Sequence, residues 1–324
     1  MKFTDNAINV MAARTYKGIG KAWITKFLPI PIPESEIVLL LNKSGKFSSK
    51  ISIEEFIAKK KLIHKMLASS EGVIDGVVAI GDLDFPPHRG LVKEAEKPIF
   101  LFYRGNLSLL KTDSKNITVI GLLNPDNEIE TVERALVSRM VENGAVIVSG
   151  LALGCDTIAH RQALESHGRT IAILPSPLND VVPAKNRDLA KEIIQNNGLV
   201  ISEYLTSAKS KLELNGRYQD RDRLQALYCN SIVLAASYAK NDIGNDSGSR
   251  LAMGYAKDYS IPRAVIYDEK NDSNNPKFEL NRQIASEDNN VYVVNRNDLP
   301  SAVNDILLLR PKVQQMQPVQ QSMI

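Results

Sequence analysis

Two hydrophobic patterns divide the chain. Over the first 80 or so residues, apolar positions recur at helical spacing, most clearly across residues 17–28 and 53–67, and prolines at 29, 31 and 33 separate the helical stretches. A looser connection over residues 81–87 leads to the extended-looking run 98–103. From Asn116 onward the pattern changes to short β-branched apolar runs, at 117–120, 145–149, 170–174, 199–202, 232–236, 264–267 and 291–294, with helical stretches between them. Strands apolar on both faces need helices above and below, and crossover helices make parallel pairing the natural result. The first of these helices shows the spacing in Val132, Leu136 and Met140, with Gly144 placed to end it. The expected fold class is therefore α/β: a doubly wound, mostly parallel sheet behind a small N-terminal helical domain. We expect a helical domain over residues 1–80, a sheet domain over 81–310 and a glutamine-rich tail over 311–324.

Composition agrees with two globular domains. The 324 residues are 44% hydrophobic and 24% charged, with a formal net charge of +3, which argues against disorder and coiled coil. No apolar run approaches the roughly 20 residues of a membrane span, and the start lacks the apolar centre of a secretory signal, so a cytoplasmic location without membrane contact is expected. Cys155 and Cys229 are too few for a disulfide framework. The four histidines share no metal-ligand spacing with them, so neither a metal nor another cofactor is expected.

In such a sheet, ligands sit beyond the carboxyl ends of the strands, where loops run into helix N-termini. After the run ending at Ser149 come Gly150-Leu-Ala-Leu-Gly154-Cys155-Asp156. Two glycines there let backbone amides approach a phosphate; Asp156 can cap the following helix, with His160 one turn on. The plain alternative is a capped helix carrying a packed histidine. A second candidate cradle is Asn245-Asp246-Ser247-Gly248-Ser249. Arg217, Arg221 and Arg223, with Lys185 and Arg187, form a basic set interleaved with Asp220 and Asp222. Arg217 and Arg221 can share a helical face, whereas Arg221 and Arg223 need not; a solvated, ion-paired face is the alternative. Near the start, Gly18-Ile19-Gly20-Lys21 has the spacing of a helix-hairpin-helix turn, or of a simple interhelical turn with Lys21 in solvent. No G-x-x-x-x-G-K-[ST] loop, no G-x-G-x-x-G after the first strand and no G-x-S-x-G elbow is present. Binding is favoured over catalysis.

At these residues the sequence resembles the DNA-processing protein A (Smf) family, within the superfamily that includes the LOG-type nucleotide hydrolases. Ser149-Gly150-Leu151-Ala152, Gly154, Asp156, Ala159 and His160 match the family's S-G-L-A-x-G-x-D-x-x-A-H motif. Further colinear matches are Gly81-Asp82 with Pro86, Gly105-Asn106-Leu107, Pro183 with Asn186 and Leu189, Ile201-Ser202-Glu203-Tyr204, Arg221-x-Arg223 and Ser247-Gly248-Ser249. The resemblance implies an extended Rossmann-like domain that binds single-stranded DNA in a basic pocket, delivers it to a RecA-type recombinase and forms a homodimer.

Two departures stand out. The family's G-[ST]-R-x-P reads Gly121-Leu122-Leu123-Asn124-Pro125, which removes a phosphate-facing arginine, and F-P-x-R-N-R becomes Tyr218-Gln219-Asp220-Arg221-Asp222-Arg223. The winged helix that many relatives carry is not expected after Arg310. On this reading the protein is a non-enzymatic single-strand binder. Lys185, Asn186, Arg187, Arg221 and Arg223 meet phosphates, Gly121 and the two glycine loops shape the pocket, and Tyr204 or Tyr218 offers a stacking surface. The same loops could instead serve a nucleotide-derivative sensor or a nucleoside monophosphate hydrolase. Hydrolysis is disfavoured because the proline-glycine pair of the LOG-type loop is missing and no glutamate follows Arg250 until Glu269. A scaffold that has lost nucleic-acid binding is a third reading.

Overall fold

The computed structural model describes residues 1–45, 47, 49–240 and 247–312. Four helices come first: α1 (Asp5–Arg14), α2 (Lys21–Phe27), α3 (Glu34–Lys43) and α4 (Ile53–Ala68). Their starts follow from local chemistry. Thr4 accepts from Ala7 N at 2.9 Å and Ser52 accepts from Glu55 N at 3.2 Å, each satisfying an amide that has no partner within its helix.

Then come β1 (Gly76–Ala79), β2 (Phe100–Gly105), β3 (Asn116–Ile120), α5 (Asn127–Glu142), β4 (Val146–Ser149), α6 (Cys155–Glu165) and β5 (Thr170–Leu174). The chain continues through α7 (Arg187–Gln195), β6 (Leu199–Ser202), α8 (Lys211–Leu227), β7 (Ser231–Leu234), α9 (Ser247–Asp258) and β8 (Arg263–Ile266). It closes with α10 (Glu269–Asp272), α11 (Glu279–Glu287), β9 (Tyr292–Val294) and α12 (Leu299–Leu308). All seven apolar runs read from the sequence are strands.

One sheet contains all nine, in the order β1-β2-β6-β5-β4-β3-β7-β8-β9. From β6 to β9 every neighbouring pair is parallel, while β1–β2 and β2–β6 are antiparallel. From β3 the chain winds through β4 and β5 to β6, then returns through α8 to start β7 on the other side of β3. That reversal opens a crevice at the carboxyl ends of β3 and β7.

Strand β1 lies before residue 81, among the residues expected to be helical, yet it pairs with β2 as part of the sheet. Side chains on these two strands alternate between two cores. Val77, Ala79 and Phe102 pack with the N-terminal helices, while Val78, Leu101 and Tyr103 join the main sheet core. The pair β1–β2 is thus a wall shared by the helical layer and the sheet, as the two-residue period of a strand allows.

Candidate nucleic-acid interface

A cleft of about 630 Å³ opens at the carboxyl ends of the parallel strands. Its walls come from Gly121 and Leu123 after β3, Ala152, Leu153 and Asp156 after β4, Val182 and Pro183 after β5, one face of α8, and the start of α9. Leu123 and Leu153 stand partly exposed at 48% and 37%.

The loop after β4 is built around a carboxylate of its own. Asp156 Oδ2 accepts from Gly150 N at 3.1 Å and Ala152 N at 3.2 Å, so the two amides expected to face a phosphate already hold an anion. The cap of α6 is Gly154, not Asp156. Gly154 has φ +72°, and a Cβ there would lie 2.2 Å from the Leu122 carbonyl oxygen, so only glycine fits. Asn186, expected to meet phosphate, instead donates its amide N–H groups to Leu151 O (2.8 Å), Ala152 O (3.1 Å) and Thr157 Oγ1 (2.8 Å), pinning the loop from the β5 side.

Arg221 reaches across this loop. Its Nε and Nη2 donate to Asp222 Oδ1 at 3.0 and 2.6 Å, and its Nη1 lies 4.0 Å from Asp156 Oδ2. A Cβ on Gly150 would sit 2.7 Å from that Nη1, so the glycine makes room for a guanidinium rather than a ligand. With its amide turned to satisfy its neighbours, Gln225 accepts from Gly150 N at 2.8 Å and donates to Asp222 Oδ1 at 3.2 Å. Burial pushes the Asp156 carboxyl up, against the opposing pull of Arg221. Among the described residues lining the cleft, the acidic and basic side chains are Arg221, Asp156 and Asp222, two carboxyl groups to one guanidinium.

Several other expected site residues serve the fold. Ser149 Oγ donates to Val119 O at 2.7 Å inside the core. His160 is fully buried with Nδ1 2.7 Å from Thr170 Oγ1, and burial depresses its pKa to about 3, so the packed-histidine alternative describes it. Arg223 is 3% exposed and paired with Glu203 and with Asp220 at 3.5 Å, on the side of α8 away from the cleft. At 100° per residue, positions two apart on a helix point to nearly opposite sides. Lys21 joins the same cluster, 3.2 Å from Glu203 and 3.0 Å from Asp220, so the glycine turn before α2 presents its lysine to the sheet domain instead of to solvent. Arg217 donates to Thr206 O and Glu213 and stacks on the Tyr204 ring at 4.0 Å, which occupies that ring.

Gly121, Asp156, Arg221, Gly248 and Ser249 do converge on the cleft, and Ser249 Oγ donates to Gly121 O at 3.1 Å, tying α9 to the loop after β3. Lys185 and Arg187 are exposed and follow Pro183 closely, Arg187 lying 3.5 Å from Asp180. The side chain of Ser247, and Asn245 and Asp246 altogether, lie outside the described residues. Asn215, Gln219, Asp222 and Gln225 were not singled out as site residues, although with Tyr218 and Arg221 they form one helical face of α8 on the cleft. Their spacing along α8 is the signal that marks this face, and the charges interleaved with it mask that signal in the sequence.

The profile of the DNA recombination-mediator protein A family matches residues 76–292. The chain belongs to this family. Among curated relatives, DNA processing protein DprA of Streptococcus pneumoniae is 34% identical over 173 residues, 53% of this chain and 58% of that one. Protein Smf of Synechocystis is 29% identical over 181 residues, 55% of this chain and 42% of that one. The chain thus spans about half the length of the curated relatives it matches. The crystal structure of the Streptococcus pneumoniae protein superposes with a TM-score of 0.67 at 23% identity, covering 93% of this chain and 98% of that one, and it shows the shared fold. DNA processing protein A from Helicobacter pylori, described for its single-stranded DNA binding mode, superposes with a TM-score of 0.52 at 28% identity, covering 64% of this chain and 88% of that one. Among the described residues no helix is long and apolar enough to cross a membrane.

Proposed function

We propose that the chain binds single-stranded DNA at the cleft, without catalysing a reaction, and acts in DNA processing and recombination in the cytoplasm. The observation that carries this is the cleft itself, at the crevice where a doubly wound sheet places ligands, in a chain whose relative from Helicobacter pylori is described as binding single-stranded DNA. Lys185 and Arg187, exposed beside it, meet the backbone phosphates. Transfer of the bound strand to a RecA-type recombinase, and a homodimer, complete the reading as the family resemblance suggests.

A second reading is favoured by the size of the cleft and by Leu123 and Leu153 at its mouth: a nucleotide-derivative sensor. A volume of about 630 Å³ is of the size that encloses one small ligand.

Fluorescence anisotropy with a labelled oligo-dT across a salt series separates the two. Lys185→Ala with Arg187→Ala leaves the fold intact and lowers the slope of log K against log salt by about 0.7 for each phosphate that is no longer neutralised. Arg223→Ala is unsuited to this test, because Arg223 is held in the junction with the N-terminal helices. Saturable binding of a nucleoside phosphate with no affinity for the oligonucleotide would favour the sensor, and release of free base would make the protein an enzyme.

A further inference from the structure

At the opposite, amino edge of the parallel strands lies a second hollow, of about 450 Å³. It is assembled from three separate segments: the stretch from Ser108 to Lys115 ahead of β3, the turn at Gly144 ahead of β4, and Arg169 ahead of β5. Lys111, Lys115 and Arg169 are all exposed there. Among the described residues none of the three has a carboxylate at ion-pair distance, and Asp113 is the lone acid of the lining. Ser108 and Ser114 add hydroxyl groups.

The loop that carries these groups is pinned from beneath. Arg89, 7% exposed, donates to Lys111 O at 2.9 Å, Ser114 O at 3.1 Å and Tyr228 O at 2.7 Å. Asn116, fully buried, donates to Leu109 O at 3.0 Å and Tyr228 O at 3.2 Å. Two buried polar side chains are thus committed to fixing one short surface loop. Arg89 is itself a cation bonded to carbonyl oxygens, with no carboxylate at ion-pair distance among the described residues. Its charge adds to the potential at the hollow instead of being cancelled.

We propose that this amino-edge hollow is a second binding site, where Lys111, Lys115 and Arg169 grip successive phosphodiester groups of single-stranded DNA. It shares its ligand class with the cleft and uses none of the cleft's residues. A polymer backbone fits better than a free nucleotide, because the cations are spread over separate segments and the lining has no aromatic side chain on which a base could stack.

The test compares the full chain with the variant Lys111→Ala, Lys115→Ala, Arg169→Ala, whose substitutions all fall on exposed side chains. With a long labelled oligo-dT, the variant's slope of log K against log salt is expected to fall by about 2, from three phosphates at about 0.7 each. Lysine acetylation mapped by mass spectrometry is expected to show Lys111 and Lys115 protected by the oligonucleotide and not by dTMP. If the wild type binds and the variant keeps its affinity and slope, the second site is overturned while the cleft reading stands. Equal protection by dTMP would overturn the polymer in favour of a free nucleotide. Failure of the wild type to bind any oligonucleotide at low salt would overturn both.

Discussion

The linings of the two hollows, one at each edge of the sheet, use their charged side chains in opposite ways. At the carboxyl edge, Arg221 answers Asp222 and Asp156, and on the far side of α8 Arg223 and Lys21 answer Glu203 and Asp220. At the amino edge, three exposed cations have no such answer. A guanidinium surrounded by carboxylates holds elements together, whereas one facing water over a fixed loop remains available to an anion. The presence of an arginine in a motif therefore says less about ligand binding than the acids that surround it.

If this contrast is right, disturbing the carboxyl edge shows first in stability. Arg223→Met leaves Lys21 as the one cation still paired with Glu203 among the described residues, and urea unfolding is expected to show a loss of about 3 kcal/mol, the low end of the range for breaking a buried pair. An unchanged midpoint would mean that the network is not structural. His160 gives the next effect. Unfolded, it takes up a proton below pH 6.5; folded, it resists down to about 3. Its contribution is fully present above pH 6.5 and is lost as pH falls towards 3, on the order of 2 to 3 kcal/mol between pH 6 and pH 4. A pH series of unfolding curves should show that slope in the wild type and a flatter one in His160→Gln.

Smaller effects sharpen the contrast in binding. Asp222→Asn removes the carboxylate that holds Arg221, so oligo-dT binding should gain about 0.7 in salt slope, with a stability cost of about 1–3 kcal/mol. Leu123→Arg places a cation at the cleft mouth and should add a similar increment of slope at almost no cost in stability, since Leu123 is half exposed. An unaltered salt dependence in both variants would mean that phosphates do not approach this edge.

Much of the fold was legible because strands buried on both faces leave continuous apolar runs, as in 117–120 and 232–236. Strand β1 was not, since four residues of Gly-Val-Val-Ala carry too little pattern and it is pairing with β2 that makes them a strand. Within the site, the sequence brings the glycine loop and Asp156 together, but as a phosphate cradle with a helix cap, whereas the cap is Gly154 and Asp156 binds the loop's own amides. The amides close on the loop's own carboxylate, and that depends on a turn whose geometry is set by Asn186, well along the chain beyond β5. Lys21 illustrates the same limit, because its partners lie 182 and 199 positions away. The hollow at the amino edge left no local signal, as its three cations come from segments that only the sheet brings together.

The wall formed by β1 and β2 bears on how the molecule comes apart. A chain cut at residue 81 would lose β1 and, with the helices, the cover over Ile99 and Phe102, leaving β2 as a bare edge with apolar side chains in water. Such a fragment is expected to associate through that edge. The intact protein, by contrast, should melt in a single cooperative step, because neither layer can shed the other without exposing the strand they share.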